Sequence, residues 1–505
     1  MKTILHFTRF LSILAALVWL SAGPVFPKED GATESGKEVI EMKEGDTEPV
    51  EDGKNAPPAD EKKKEKAATE EKTGGEDTLS EEKPAQFKFK GQVKNLYLFH
   101  RTDNFMGEDP LTLSSKNLSA DLTRVRLSPE FQYKELLTMK VDFDNEVIWS
   151  NYGKSQDFTS YWRPSGYNDF LDLTWEPYRD RDVMYRIKLN RAYVKLSVDK
   201  FTATVGRQQI RFGSGKLWNP LDILNPVSPT FVEGGDEQKG TDAIKLDFYP
   251  EEKTEITGVV DFKKSSNEIE HFNMQDCNYI LRVKTSVKDT DIAVLGGYVA
   301  RRGVAGFDFA AILFGGMLRG SVLAYKPEKE SIFFQANAGY EYNFKAGVYI
   351  LGEYLFNQKA INYNDDLKAA VFRQQLVGSD LPLALIYNLK PSAEYHALAV
   401  NLKRASTMNQ STYDQIANQL LTVNQHYLAL ALGYDFHPLV RGELFTIGDI
   451  QGRGIFWGPT LKINAYENLD FTVGIMGAFT FDNKSSDFSE FRKNYLFYAS
   501  GSYVF

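Results

Sequence analysis

The residues best placed to act on a solute or a partner lie in one stretch of the chain. Arg191-Ala192-Tyr193-Val194 is followed by Gly206-Arg207-Gln208-Gln209-Ile210-Arg211-Phe212-Gly213-Ser214-Gly215. Then come Trp218-Asn219-Pro220-Leu221-Asp222, Asn225-Pro226, and Lys239-Gly240-Thr241-Asp242-Ala243. At the strand period of two, Arg207, Gln209 and Arg211 share one face and Ile210 and Phe212 the other. Leu217, Trp218, Leu221, Ile223 and Leu224 make the following segment too apolar to remain in water. Pro220, Pro226 and Pro229 stiffen it. The segment is therefore expected to fold back against the body of the protein. Two readings of its charges stand: Arg207 or Arg211 pairs with Asp222 or Asp242 as architecture, or these side chains gate and select a passing solute.

Catalysis finds no support. Six histidines are scattered, and His6 lies in an N-terminal leader. His100, His426 and His437 fit aromatic-girdle or turn positions better than a site. No Ser–His–Asp set, nucleophile elbow, phosphate-cradling loop or metal-ligand spacing occurs. Cys277 is the only cysteine, which excludes an intramolecular disulfide and any Cys-based zinc, haem or iron–sulfur centre. The expectation is a non-enzyme without cofactor or metal and without a nucleic-acid partner.

The elements that must carry these residues are alternating strands. Val141, Phe143, Val147 and Trp149 alternate with Lys140, Asp142, Asp144 and Glu146. Phe334 to Phe344 and Phe471 to Phe481 repeat the pattern. The last strand places Tyr495, Phe497, Ala499, Gly501, Tyr503 and Phe505 on one side and Leu496, Tyr498, Ser500, Ser502 and Val504 on the other. Apolar-out, polar-in segments of about ten residues suit a wall between lipid and an aqueous lumen. Such a strand, closing on an aromatic, looks like that of a bacterial outer-membrane β-barrel, whose assembly machinery reads Tyr503 and Phe505. The fold expected is all-β: a transmembrane antiparallel barrel of about 18 strands, with 16 and 20 open, over residues 85–505. A propeller or β-helix would need a fixed repeat, and none is found.

Residues 1–27 read as a secretory leader, with Lys2 and Arg9 before a short apolar core at 11–20. Of 59 basic and 68 acidic residues, 10 and 19 fall in 28–84, leaving 49 of each for the remainder. The net charge of −9 is thus local to that segment, which has no Phe, Trp or Tyr. It is expected to be a disordered periplasmic tail, open to a periplasmic partner. Tight turns at 198–200, 250–253, 288–290, 437–438 and 467–468 contrast with long connections at 101–117, 150–183, 213–240, 264–275, 357–392 and 404–424, the habit of a barrel. An extra strand around Leu381 to Leu389 is open.

Gly206-Arg207-Gln208, Gly213-Ser214-Gly215 and Asn219-Pro220-Leu221-Asp222…Asn225-Pro226 resemble a broad group of porin-like outer-membrane barrels, including alginate-export-type barrels. The resemblance covers roughly residues 185–250. It implies a channel in the outer membrane lipid for small polar or anionic solutes, with polysaccharide export as a variant. The alternative is a structural barrel that sheathes a periplasmic multihaem cytochrome or anchors surface material. In a barrel, arginines facing lipid near the midplane would cost about 2–4 kcal/mol each, so Arg207 and Arg211 are expected to face the lumen or to lie near the strand end, with Ile210 and Phe212 outward. Arg124, Arg126, Arg191 and Arg282 join them as pore candidates on polar strand faces, where Asp142, Asp144, Glu146, Glu255, Asp261, Glu341 and Glu353 also point inward.

Overall fold

A computed structural model describes residues 85–106, 113–153, 170–224, 240–263, 272–328, 331–360, 424–481 and 495–505, together with Thr422, Ser486 and Phe488. The leader, the charged segment 28–84, Asn225, Pro226, Pro229 and the stretch Leu381 to Leu389 lie outside the described residues.

Among the described residues, nineteen strands form one antiparallel sheet that closes on itself. In chain order they are β1 (Ala85–Met106), β2 (Leu113–Tyr133), β3 (Leu137–Ser150), β4 (Thr174–Arg179), β5 (Val183–Val198), β6 (Phe201–Gln208), β7 (Thr241–Glu251), β8 (Thr254–Asp261), β9 (Asn278–Val287) and β10 (Thr290–Val299). They continue as β11 (Arg302–Leu313), β12 (Gly316–Pro327), β13 (Phe333–Asn343), β14 (Val348–Asn357), β15 (His426–His437), β16 (Val440–Asp449), β17 (Gly454–Tyr466), β18 (Leu469–Thr480) and β19 (Tyr495–Val504). The single helical feature among the described residues is a 3-10 turn at Met274–Asp276.

Closure comes from β1, which pairs with β2 along one edge and with β19 along the other, from Gln92↔Val504 to Arg101↔Tyr495. Phe505 continues the seam: Gly91 N donates to its carbonyl at 2.8 Å and its own N–H returns to Gly91 O at 2.9 Å. The Phe505 ring lies over Gly91 in the space a β-carbon would need. Below it, Ala85–Lys90 pair with β2 alone.

Eighteen of the strands are full members of the wall. The nineteenth, β4, is a patch. β3 pairs directly with β5, so the other edge of β5 must serve both β6 and β4. β6 takes Ala192–Val198, and β4 takes Met184–Lys188 farther along. β6 thus leaves the wall after Gln208, and β4 fills the gap.

The period of two sets inside from outside. On β19, Leu496 and Tyr498 are buried within the barrel while Tyr495 and Tyr503 are exposed outside. On β15, Tyr427 and Ala429 face in and Leu428, Leu430 and Leu432 face out. Exposed Phe201, Phe314, Phe436, Tyr466 and Phe505 ring the short-turn end, and Trp175, Phe479 and Tyr495 mark the other. An outward apolar band between aromatic girdles is the surface that a lipid bilayer solvates. Inside, two apolar clusters form, one around Leu96, Leu122, Leu355, Tyr427, Phe456 and Leu496, the other around Val259, Ile280, Leu295, Val304, Leu323 and Tyr325. Both are completed by the chain that leaves β6.

Candidate functional site: a loop strapped across the lumen

After Gln208 the chain enters the barrel. Ile210, Phe212, Leu221, Ile223 and Leu224 join the second apolar cluster, and Trp218 joins the first. The segment 209–224 therefore bridges both clusters, and its apolar side chains hold it inside. Ile210 and Phe212 face into the lumen core, which corrects the expectation that they point outward. Gln209 and Arg211 lie in this loop beyond the end of β6, so they do not continue a strand face with Arg207.

Polar straps fix the loop to distant wall strands. Glu353 on β14 accepts the backbone N–H groups of Lys216 (3.1 Å), Leu217 (3.3 Å) and Trp218 (2.7 Å). Asn337 on β13 donates to Trp218 O at 2.9 Å. Asp308 on β11 accepts from Ser214 N at 3.0 Å and Ser214 Oγ at 2.7 Å. Lys216 reaches Glu341 at 3.8 Å. The Trp218 ring meets Tyr427 of β15 at 6.2 Å. Converging donors from three consecutive backbone amides satisfy a buried carboxylate that would otherwise be costly.

The loop's own residues give it shape. Asn219 Nδ2 donates to Phe212 O at 2.6 Å and Asp222 N to Asn219 O at 3.0 Å. Gly213 has φ +85°, a region that favours glycine, and a β-carbon there would meet the Asn219 side chain. A β-carbon on Gly215 would meet the Trp218 carbonyl. Pro220 is buried in the turn.

The charged candidates divide between wall and loop. Arg207 donates to both Asp242 oxygens, Nε at 2.8 Å and an Nη at 2.7 Å, and to Leu171 O at 2.6 Å. Leu171 N donates back to Asp242 at 3.0 Å. This buried staple ties β6 and β7 to the segment leading into β4, where the wall changes hands. Arg207 thus stands near the strand end, one of the two places expected for it, and makes the architectural pair with Asp242. Gly206, with φ +121°, makes the turn-off, and a β-carbon there would strike Ala192 O. Arg211 pairs with Asp222 at 3.6 Å, and Arg191 donates to Gln209 at 2.6 Å. Arg282 stands 5.5 Å over the Phe212 ring and 3.7 Å from Glu255.

Arg124 and Arg126 belong to a ladder across β2, β3 and β5. Arg124 donates to Glu146 at 2.7 Å, Arg126 clamps Asp144 at 2.6 and 2.8 Å, and Arg186 donates to Glu146 at 2.6 Å. Lys188 lies 3.9 Å from Asp144, while Lys140 and Arg191 each lie 3.8 Å from Asp142. The acids of this ladder sit deep, and the cations at its accessible edge cover them. Lys140 is 26% exposed and Arg191 19%, against 4% for Asp142. The loop repeats the asymmetry: Arg211 at 43% over Asp222 at 4%, and Lys216 at 49% over Glu341 at 13%. Nearer the short-turn end, Lys284–Asp291, Arg441–Asp435 and Arg282–Glu255 lack this bias.

Sequence reasoning placed Glu353 inward without a role and missed Asp308, Asn337 and Leu171. A signal was present for Glu353, whose neighbours on the inward row, Leu351 and Leu355, are both apolar and buried.

No family model and no curated protein matches the chain. Among solved structures it is similar to Acinetobacter baumannii OccAB4, at 10% identity over 83% of this chain and 98% of that one, with a TM-score of 0.47. Pseudomonas aeruginosa OccK5 (OpdH) gives 8% over 82% and 97%, with a TM-score of 0.46. A BenF-like porin from Pseudomonas fluorescens Pf-5 gives 8% over 83% and 98%, with a TM-score of 0.45.

Proposed function

We propose that this chain is an outer-membrane channel for small anionic or polar solutes, narrowed by the loop 209–224. One observation carries the reading: in Lys140–Asp142, Arg191–Asp142, Arg211–Asp222 and Lys216–Glu341 the cation is the more exposed partner. Paired charges cancel in number but not in position. A solute in the lumen meets Lys140, Arg191, Arg211 and Lys216 before it meets their acids. A lumen surface biased in this way raises the local concentration of anions.

The loop crosses from β6 to β11, β13, β14 and β15, occupying part of the bore. This favours small solutes over an exported polysaccharide or a sheathed cytochrome, both of which need a wide passage. The charged segment 28–84 precedes β1 at the short-turn end, which in this reading is the periplasmic end.

Reversal potentials in planar bilayers under a KCl gradient test the proposal. The wild-type protein is expected to prefer chloride, and Arg211→Gln/Lys216→Gln to move the potential toward potassium. A cation-selective wild type, or a double variant with an unmoved potential, would overturn it.

A further inference from the structure

The carboxylate that straps the loop is buried, at 2% exposure, and among the described residues Glu353 forms no ion pair. N–H groups alone meet its charge. Oε2 accepts from Lys216 N at 3.1 Å and Leu217 N at 3.3 Å. Oε1 accepts from Trp218 N at 2.7 Å and faces Asn337 Nδ2 at 3.5 Å. The Asn337 amide is itself oriented, its oxygen by Ser321 Oγ and its nitrogen by Trp218 O at 2.9 Å. An ionised carboxylate fits this set because it only accepts. A protonated one carries an O–H that must donate, and on either oxygen that hydrogen would point at an N–H. On Oε2 it would displace Lys216 or Leu217. On Oε1 it would displace Trp218 or Asn337, which holds the same turn through Trp218 O.

The second anchor is built differently. Asp308 takes both Ser214 donors on Oδ1, so its Oδ2 can accept a proton without losing either bond. The ionisable groups packed around Glu353 have other partners. Lys216 Nζ turns to Glu341 of β13 at 3.8 Å, and Arg319 of β12 pairs with the same acid, which also accepts the Tyr349 hydroxyl at 2.7 Å. Farther along the loop, Arg211 and Asp222 pair with each other. Directly opposite Glu353 stand Gly339 on β13 and Ala429 on β15. The Tyr427 hydroxyl on β15 accepts from Asn424 N at 2.8 Å. Glu341 therefore titrates between two cations, and Glu353 among neutral amides.

We propose that Glu353 is an acid-sensitive latch for the loop 209–224. Ionised, it holds the turn at Lys216–Trp218 against β14; protonated, it lets the turn go. A proton that binds the released arrangement better than the strapped one shifts the population toward release. Leu221 and Ile223 are fully buried in the second apolar cluster and anchor the far half of the loop independently of any charge. Release is therefore a swing of the turn at 213–218, not an expulsion of the whole segment. Acid thus widens and loosens the constriction, and return to neutral pH restores it.

The latch rests on the reading that this loop narrows a channel, and the test separates the two. Hydrogen exchange of the peptide carrying Lys216–Trp218 is followed in the whole protein at about pH 7 and about pH 4, a span that covers carboxylate titration. Rates are corrected for the intrinsic pH dependence of exchange. Protection at the turn should be lost in acid and regained at neutral pH, while β13 and β14 keep theirs. Glu353→Gln, which puts an NH2 where the carboxylate accepted, should lack protection at both values. Asp308→Asn should keep the acid response. In planar bilayers, wild-type conductance and open-channel noise should rise reversibly over the same interval, and Glu353→Gln should show the acid behaviour at neutral pH. If Glu353→Gln misfolds, the wild-type and Asp308→Asn exchange decides alone. A turn that stays protected in acid, a Glu353→Gln turn as protected as wild type, or an acid response lost in Asp308→Asn would overturn the latch. Loss of protection with unchanged conductance would instead overturn the reading that the loop narrows the channel and leave the latch standing.

Discussion

Glu353, a wall residue outside the motif, anchors the loop at three consecutive amides. One carboxylate gathers the N–H groups of Lys216, Leu217 and Trp218. Hydrogen bonds to a charged group contribute about 1.5–3 kcal/mol each and do not add fully. Glu353→Ala should free these three amides and let the loop swing, so single-channel conductance should rise and become noisier. Asp308→Ala removes only the Ser214 anchor and should have a smaller effect in the same direction. If recordings of Glu353→Ala match wild type in a well-folded barrel, apolar burial of Leu221 and Ile223 alone positions the loop. No sequence pattern could name these partners, because Glu353 and Asp308 lie 135 and 94 residues from the atoms they bind.

At the scale of the element, the junction of β6 with β4 is the feature that lets the loop exist. β6 can leave the wall only because β4 takes its place on β5, and the Arg207–Asp242–Leu171 staple holds the exchange. Arg207→Leu would strand a buried carboxylate, a change that typically costs about 3–5 kcal/mol. The heat-modified gel shift should then occur at lower temperature, with ion preference unchanged in whatever folds. Arg207→Leu/Asp242→Leu should recover part of the loss, since neither charge remains. Deleting Leu217–Leu224 should raise conductance if the barrel still folds; unchanged conductance would place the loop outside the permeation path. The long strands were legible because alternation over ten or more residues is a strong signal, as on β13 and β19. β4 was not: Thr174–Arg179 holds six residues with a proline among them and no clean alternation. The pairing of Arg207 with Asp242 was among the readings the residues left open, but the separation of Gln209 and Arg211 from its face was hidden, since period two predicts a shared face only while the strand lasts, and β6 ends at Gln208.

For the whole molecule, near-neutral composition conceals a sorted charge distribution. The 49 basic and 49 acidic residues outside 28–84 predict no ion preference by count. The proposed preference rests instead on position: Asp142 and Asp222 are buried behind Lys140, Arg191 and Arg211. Fields from such partly exposed groups are screened over about 10 Å at 0.1 M salt and about 3 Å at 1 M. Anion selectivity should therefore be strong in dilute KCl and fade toward that of the bulk electrolyte in molar KCl. A selectivity independent of salt would point to a steric filter.

The Phe505 ring over Gly91 has a consequence for the width of the molecule. A closed sheet has its diameter set jointly by strand number and by the stagger accumulated around the circle. That stagger is fixed at the seam, where residues 394 to 412 positions apart must choose a register. A slip by one residue would turn β19 inside out, so the smallest tolerable slip is two. Either such slip sets the ring opposite Phe89 or Val93, which carry side chains where Gly91 has none. A single aromatic seated in a single gap thus acts as a gauge for the bore, and the calibre of the barrel is decided at its rim, far from the loop that crosses its interior.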